Sequence, residues 1–210
     1  NSYGIYKEIR NYAFEHGKFF DKKGEQVTEF GKDDIWETYE STEEGFVEVV
    51  VDHASELTPD KREADVRQAM TNLADYVKKY VSKKFNYSTI IVQQQAMEME
   101  NLAHIKENQV YATIQGLGDA KTVARVYRTI IGITNINRYG IKMADCKNGK
   151  YMVKDVEGYQ RVLEVLKRRF GRTNDKIFVA HDGKVNHFGP IRDSVDYAAW
   201  TNTIQNYKET

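Results

Sequence analysis

The chain has 210 residues, enough for one domain with a full core, and no Pro/Gly/Ser-rich linker or low-complexity stretch divides it. Lys+Arg and Asp+Glu each total 31, so a nucleic-acid partner would need a local basic patch rather than a global field. The single cysteine, Cys146, excludes an internal disulfide framework and a cysteine-rich zinc site. No apolar run approaches the ~18 residues of a membrane span, and no signal-peptide pattern is present. These features imply a cytoplasmic protein with no membrane partner. The chain carries 14 tyrosines, to which the sequence alone gives no meaning.

Residues 2–15 place Ile5, Tyr6, Ile9, Tyr12 and Ala13 at helical spacing. Phe19-Phe20-Asp21 followed by Lys22-Lys23-Gly24 predicts a short strand and a turn. Residues 32–41 are expected to form a short helix. The run Phe46-Val47-Glu48-Val49-Val50-Val51 predicts a strand buried on both faces, ending at Asp52. Thr58-Pro59 has the form of a helix start, with Thr as N-cap and Pro at the first helical position. Val66, Met70, Leu73, Val77 and Tyr80/Val81 continue that helix as one apolar stripe, closed by Lys83-Lys84 and Asn86.

Thr89-Ile90-Ile91-Val92 predicts a second buried strand, ending in Gln93-Gln94-Gln95. Strand, long helix, strand is a βαβ unit and implies parallel pairing. Residues 96–122 read largely as loop. Thr129–Ile133 is a further strand, and Arg161–Leu166 is another that runs into Lys167-Arg168-Arg169-Phe170-Gly171. Ile177–Ala180 and Val185–Phe188, around His181-Asp182-Gly183-Lys184, predict a hairpin, because Asp-Gly favours that turn. The class is α/β with a mixed sheet. The tail 191–210 is expected to be peripheral.

In open parallel sheets ligands gather at the carboxyl ends of strands. Asp52 ends a β-branched strand, where a carboxylate can hold the water shell of Mg²⁺; an Asp there is also an ordinary turn cap. Gln94 offers a neutral amide that can hydrogen-bond a γ-phosphate, or is simply a loop entry. Lys167 and Arg169 alternate along a strand end, so both can face one way and deliver cations to a neighbouring subunit's phosphate; the bland alternative is a solvated basic turn.

Order and spacing carry more than any one of these. VVVDHASEL (49–57), TNLADYVKKY (71–80), STIIVQQ (88–94), GLGDAKTVARVYRTIIGI (116–133), RVLEVLKRRFG (161–171) and FVAHDGKVNHF (178–188) together resemble the C-terminal ATPase domain of DnaB-type replicative helicases, in the divergent form of phages and plasmids. The likeness spans roughly residues 5–190. It implies a partial RecA-like ATPase domain over 1–190, with a parallel βαβ core and a C-terminal antiparallel hairpin, incomplete on its N-terminal side.

The resemblance further implies a hexameric, ATP-driven DNA helicase of replication. Asp52 matches the metal-holding Walker B aspartate, and Gln94 the γ-phosphate-sensing glutamine. Lys167 and Arg169 match the pair that enters the next subunit's site. The loop after Gln95 would face single-stranded DNA, with Lys106, Lys121 and Arg125 as phosphate contacts. ATP and Mg²⁺ are the implied cofactors. One departure is large: no G-x-x-x-x-G-K-[S/T] occurs, and Gly31-Lys32-Asp33 lacks both its spacing and its hydroxyl. The chain alone is therefore expected to be inactive. No counterpart of the catalytic glutamate stands out; Glu8 and Glu15 are the conceivable positions.

Three other readings stay open. Asp52 and His53 with His181 and Asp182 could hold a metal in a phosphoesterase. A RecA-like fold could be kept only for assembly. An unrelated α/β domain could share the pattern.

Overall fold

A computed structural model of the chain describes residues 1–30, 36–95, 101, 103, 105, 111–140, 143–146, 149–152, 160–173, 176–184 and 187–190. They fall into two units. The first comprises residues 1–94 and 119–127, the second 95–118 and 128–210. No helix among the described residues is long and apolar enough to cross a membrane.

The first unit opens with helix α1 (Ser2–Glu15), whose start is fixed by the Asn1 side chain accepting from the Gly4 amide. Its buried residues Ser2, Tyr6, Ile9, Arg10 and Ala13 repeat at three-to-four spacing, one face turned to the core. The chain turns at His16 into β1 (Gly17–Phe20), then a tight Asp21–Gly24 turn and β2 (Gln26–Val27). The Asp21 carboxylate holds that turn by accepting from the Lys23 and Glu25 amides at 2.8 and 2.9 Å.

β3 (Thr38–Ser41) pairs antiparallel with β1, with Phe19 opposite Tyr39, giving the order β2-β1-β3. The expected helix over 32–41 is therefore wrong for 38–41. Pairing with β1, distant in sequence, overrides local preference there. Residues 31–35 lie outside the described residues.

β4 (Glu48–Val51) and β5 (Ser88–Ile91) form a parallel pair in the register Val51↔Ile91. The crossover between them contains α2 (Val66–Tyr76) and a π-helical turn, Val77–Val81. This is the βαβ unit that the sequence predicts. Its helix starts later than expected. Asp65, not Thr58, is the N-cap, and accepts from the Gln68 amide at 2.7 Å. Residues 60–63 are held in a turn by their own side chains: the Asp60 amide donates to Glu63 and the Arg62 amide to Asp60, a local alternative to helix. Met70, Leu73, Val77 and Val81 are buried as the stripe requires, whereas Val66 is not. Asn86, with φ +59°, turns the chain out of the helix.

Tyr6, Ile9, Ala13, Phe19, Trp36, Leu73, Val81, Phe85, Tyr87 and Val123 belong to one core cluster. Many of the tyrosines find their place around it. Tyr6 stacks on Tyr76 at 5.0 Å, and Tyr39 meets Phe85 edge-on at 5.1 Å. Val49, Val51 and Ile91 pack against this cluster, but Val50 is 59% and Ile90 47% exposed. The parallel pair is thus covered on one face, not on both.

In the second unit, β6 (Thr129–Thr134), β9 (Gln160–Arg168), β10 (Lys176–Asp182) and β11 (His187–Pro190) form an antiparallel sheet in the order β11-β10-β9-β6. The β10–β11 hairpin is the expected one, with Asp182 opposite His187. Among the described residues the parallel pair and this sheet are separate, so the single mixed sheet anticipated from sequence is not formed by their hydrogen bonds. β7 (Met143–Cys146) and β8 (Gly149–Met152) make a small hairpin, which the Asn148-Gly149 pair could have signalled. Residues 115–125, expected as loop, form a 3-10 helix. The tail 191–210 lies outside the described residues.

Candidate functional site at the carboxyl edge of the parallel strands

The ladder between β4 and β5 runs one step past the strands: the Val92 amide donates to Val51 O at 2.9 Å, and the Ala54 amide to Val92 O at 2.9 Å. Asp52 leaves β4 immediately after its last paired residue, and Gln94 lies three residues beyond the end of β5. Parallel strands run the same way, so both residues emerge at one edge. Both are exposed. A carboxylate and a carboxamide stand there at the place where α/β sheets bind ligands.

His53 follows, leaning toward Glu56 with 3.7 Å between Nε2 and Oε1, while its buried Nδ1 has no hydrogen-bond partner. Gln95 lies against Gly116, where a Cβ would come within 2.8 Å of the glutamine side chain. Glycine is needed there for that close approach.

The basic run belongs to the second unit. Lys167 is half-buried on β9 opposite Ile130. Beyond the strand, the Arg169 amide still donates to Arg128 O at 2.9 Å. The ladder continues to Arg169, and residues two apart share a face. The Arg169 guanidinium lies 5.6 Å from the Phe170 ring centroid. Arg168, Arg169 and Phe170 are exposed, and Gly171 turns the chain with φ +105°.

Of the three cationic candidates for DNA contact, Lys106 lies outside the described residues. Lys121 and Arg125 belong to the 3-10 helix 115–125, and Arg125 is exposed at its end.

Among the described residues no three His, Cys, Asp or Glu side chains converge as a metal cage requires. His181, named for a phosphoesterase, stacks on Phe188 at 4.4 Å, and Asp182 sits in β10. A Mg²⁺ ion held mainly by nucleotide phosphates needs only one or two protein carboxylates. Asp52 supplies one, so the edge fits the metal half of a Mg²⁺–nucleotide site. The sequence supplies no glycine-rich loop for the phosphates.

The strongest perturbed ionisation lies away from this edge. Burial pushes the Tyr87 phenol well above its ordinary value, helped by its hydrogen bond to Tyr39 at 2.7 Å. Tyr39 in turn donates to His16 O. This chain of hydroxyls fastens β3 to the end of α1 and has no nucleophile or base beside it that would suggest catalysis.

No protein-family model matches the chain, and no curated protein matches it. Among solved structures it is similar to the ATPase domain of a DnaB-like helicase, with TM-score 0.59 and 12% identity over 91% of this chain and 52% of the other. The chain thus spans about half the length of that structure. At this identity the likeness is one of fold, and it agrees with the RecA-like α/β arrangement implied by the resemblance in sequence.

Proposed function

We propose that the chain forms part of the RecA-like domain of an ATP-driven motor of the DnaB type, working on single-stranded DNA as a hexameric ring. The observation that carries this reading is the emergence of Asp52 and Gln94 at one edge of a parallel pair joined by a helical crossover. When bound there, Mg²⁺–ATP supplies the phosphoryl group and the metal charge that steadies it. The Asp52 carboxylate orients the metal's water shell. The Gln94 amide hydrogen-bonds the terminal phosphate and passes its presence to the segment after Gln95. Lys167 and Arg169 reach the site of a neighbouring subunit and offset charge developing on the phosphate. Lys106, Lys121 and Arg125 contact the DNA backbone.

The test is ATP hydrolysis by the full natural protein that carries this chain, with and without single-stranded DNA. Asp52→Asn should abolish turnover, and Arg169→Ala should lower it by about 10³-fold or more. Mixed rings of the two variants should regain part of the rate, because the groups act on different subunits. Unchanged turnover in Asp52→Asn would sink the proposal.

A second reading is favoured by one observation, the lack of a phosphate-cradling motif in the 210 residues. In it the domain serves only assembly, and the full protein hydrolyses no ATP under any of these conditions.

A further inference from the structure

A cleft of about 480 Å³ lies in the first unit between α1 and the approach to β4, within the size range of binding clefts, about 300–1,000 Å³. Its walls are mostly apolar, with Ile9, Tyr12 and Phe46 among them. Tyr12 is 42% and Phe46 76% exposed, so two aromatic rings meet water at its mouth. Glu8, Glu43 and Glu48 complete the lining. Glu43 is paired with His16 at 2.5 Å. Glu8 and Glu48 are exposed and have no ion pair among the described residues. An apolar floor with an acidic rim suits a side chain that is aromatic or aliphatic at one point and cationic beside it.

The second unit carries such a group. At the end of β9, Arg168 and Arg169 flank Phe170, which is 79% exposed, and Arg172 follows the glycine turn. A chain with equal numbers of acidic and basic residues therefore holds an acidic apolar cleft on one unit and a basic aromatic turn on the other. We propose that the Arg168–Phe170 turn of one copy docks in the Glu8/Glu43/Glu48 cleft of a second copy. Two different patches meet, so the contact is heterologous and can close into a ring.

The inference rests on the reading of the chain as a subunit of an assembly, but on residues with no part in the nucleotide edge. Arg168 and Phe170 alternate with Lys167 and Arg169, so the two pairs face opposite sides of the extended run. The cleft lies at the amino end of β4 and Asp52 at its carboxyl end, about 13 Å apart for four residues. One run can therefore present one pair to the cleft and the other toward the nucleotide edge.

Sedimentation velocity on the 210-residue chain tests this with two double variants. One alters the turn, Arg168→Glu with Phe170→Ala; the other alters the cleft, Glu8→Lys with Glu48→Lys. The wild type should self-associate, less so as salt is raised. Each variant alone should associate at least about tenfold more weakly. An equimolar mixture should form dimers and nothing larger, because only one intact turn and one intact cleft remain to meet. Circular dichroism confirms that each variant is folded, and Phe170→Ala alone, at an exposed position, serves if a double variant is not. A wild type that stays monomeric, variants that associate like the wild type, or a mixture that gives no dimer would each overturn the proposal. Because Asp52, Lys167 and Arg169 are untouched, failure here leaves the ATP hydrolysis test standing, and failure there leaves this one.

Discussion

At the scale of single residues, exposure separates the groups placed for chemistry from those that hold the fold. Asp52 is exposed, so Asp52→Asn should change the chain's stability by no more than about 0.5 kcal/mol in urea unfolding while removing the turnover of the full protein. Glu63 is the opposite case. It is 7% exposed. Burial works against its charge, but hydrogen bonds from the Ser2 hydroxyl, the Asp60 amide and Asn72 prevail and hold its carboxyl below its ordinary value of 4.5. A depressed folded-state value means stability that is present above pH 4.5 and is lost as pH falls toward the lowered folded value. Ser2→Ala should cost about 1–3 kcal/mol at neutral pH, and less in acid. Chemical unfolding at pH 7 and pH 4 reads the difference; an equal loss at both would show that Glu63 does not titrate in this way.

At the scale of elements, close approaches make some glycines structural. A Cβ on Gly17 would lie 2.6 Å from Glu40 O, a backbone atom that cannot swing aside. Gly17→Ala should therefore strain the β1–β3 pairing and cost about 1–3 kcal/mol, measured as a lowered urea midpoint. Leu73, 1% exposed on α2, should cost about 2–5 kcal/mol when cut to Ala. What the sequence made legible at this scale was set by local pattern. The β-branched runs before Asp52 and before Gln93 announced β4 and β5, and the 2–15 periodicity announced α1. Long-range pairing was not legible, so Thr38–Ser41 was misread. Thr58-Pro59 was a plausible cap that lost to a turn held by Asp60 and Glu63. The candidate site was legible in part: the strand ends at Asp52 and Gln94 followed from pattern. The cleft beside Tyr12 and Phe46 depends on α1 lying near the approach to β4, which no local pattern encodes.

For the molecule as a whole, zero formal charge means that DNA contact depends on a few local cations. Arg125 is exposed at the end of its 3-10 helix. Replacing it by Gln should weaken single-stranded DNA binding by the full protein and reduce the slope of log K against log salt by about 0.7, the share of one phosphate contact. A slope that does not move would place Arg125 away from the strand.

The packing around Trp36 has a spectroscopic consequence. The indole is 5% exposed, stacks on Phe85 at 5.3 Å, and has the Lys84 ammonium 4.4 Å from its ring centroid. The only other tryptophan is Trp200, so Trp200→Phe leaves a single emitter inside the first unit. Its fluorescence should be blue-shifted and shielded from iodide in the native chain, then shift red as that core opens, giving an optical readout of the unit that carries Asp52.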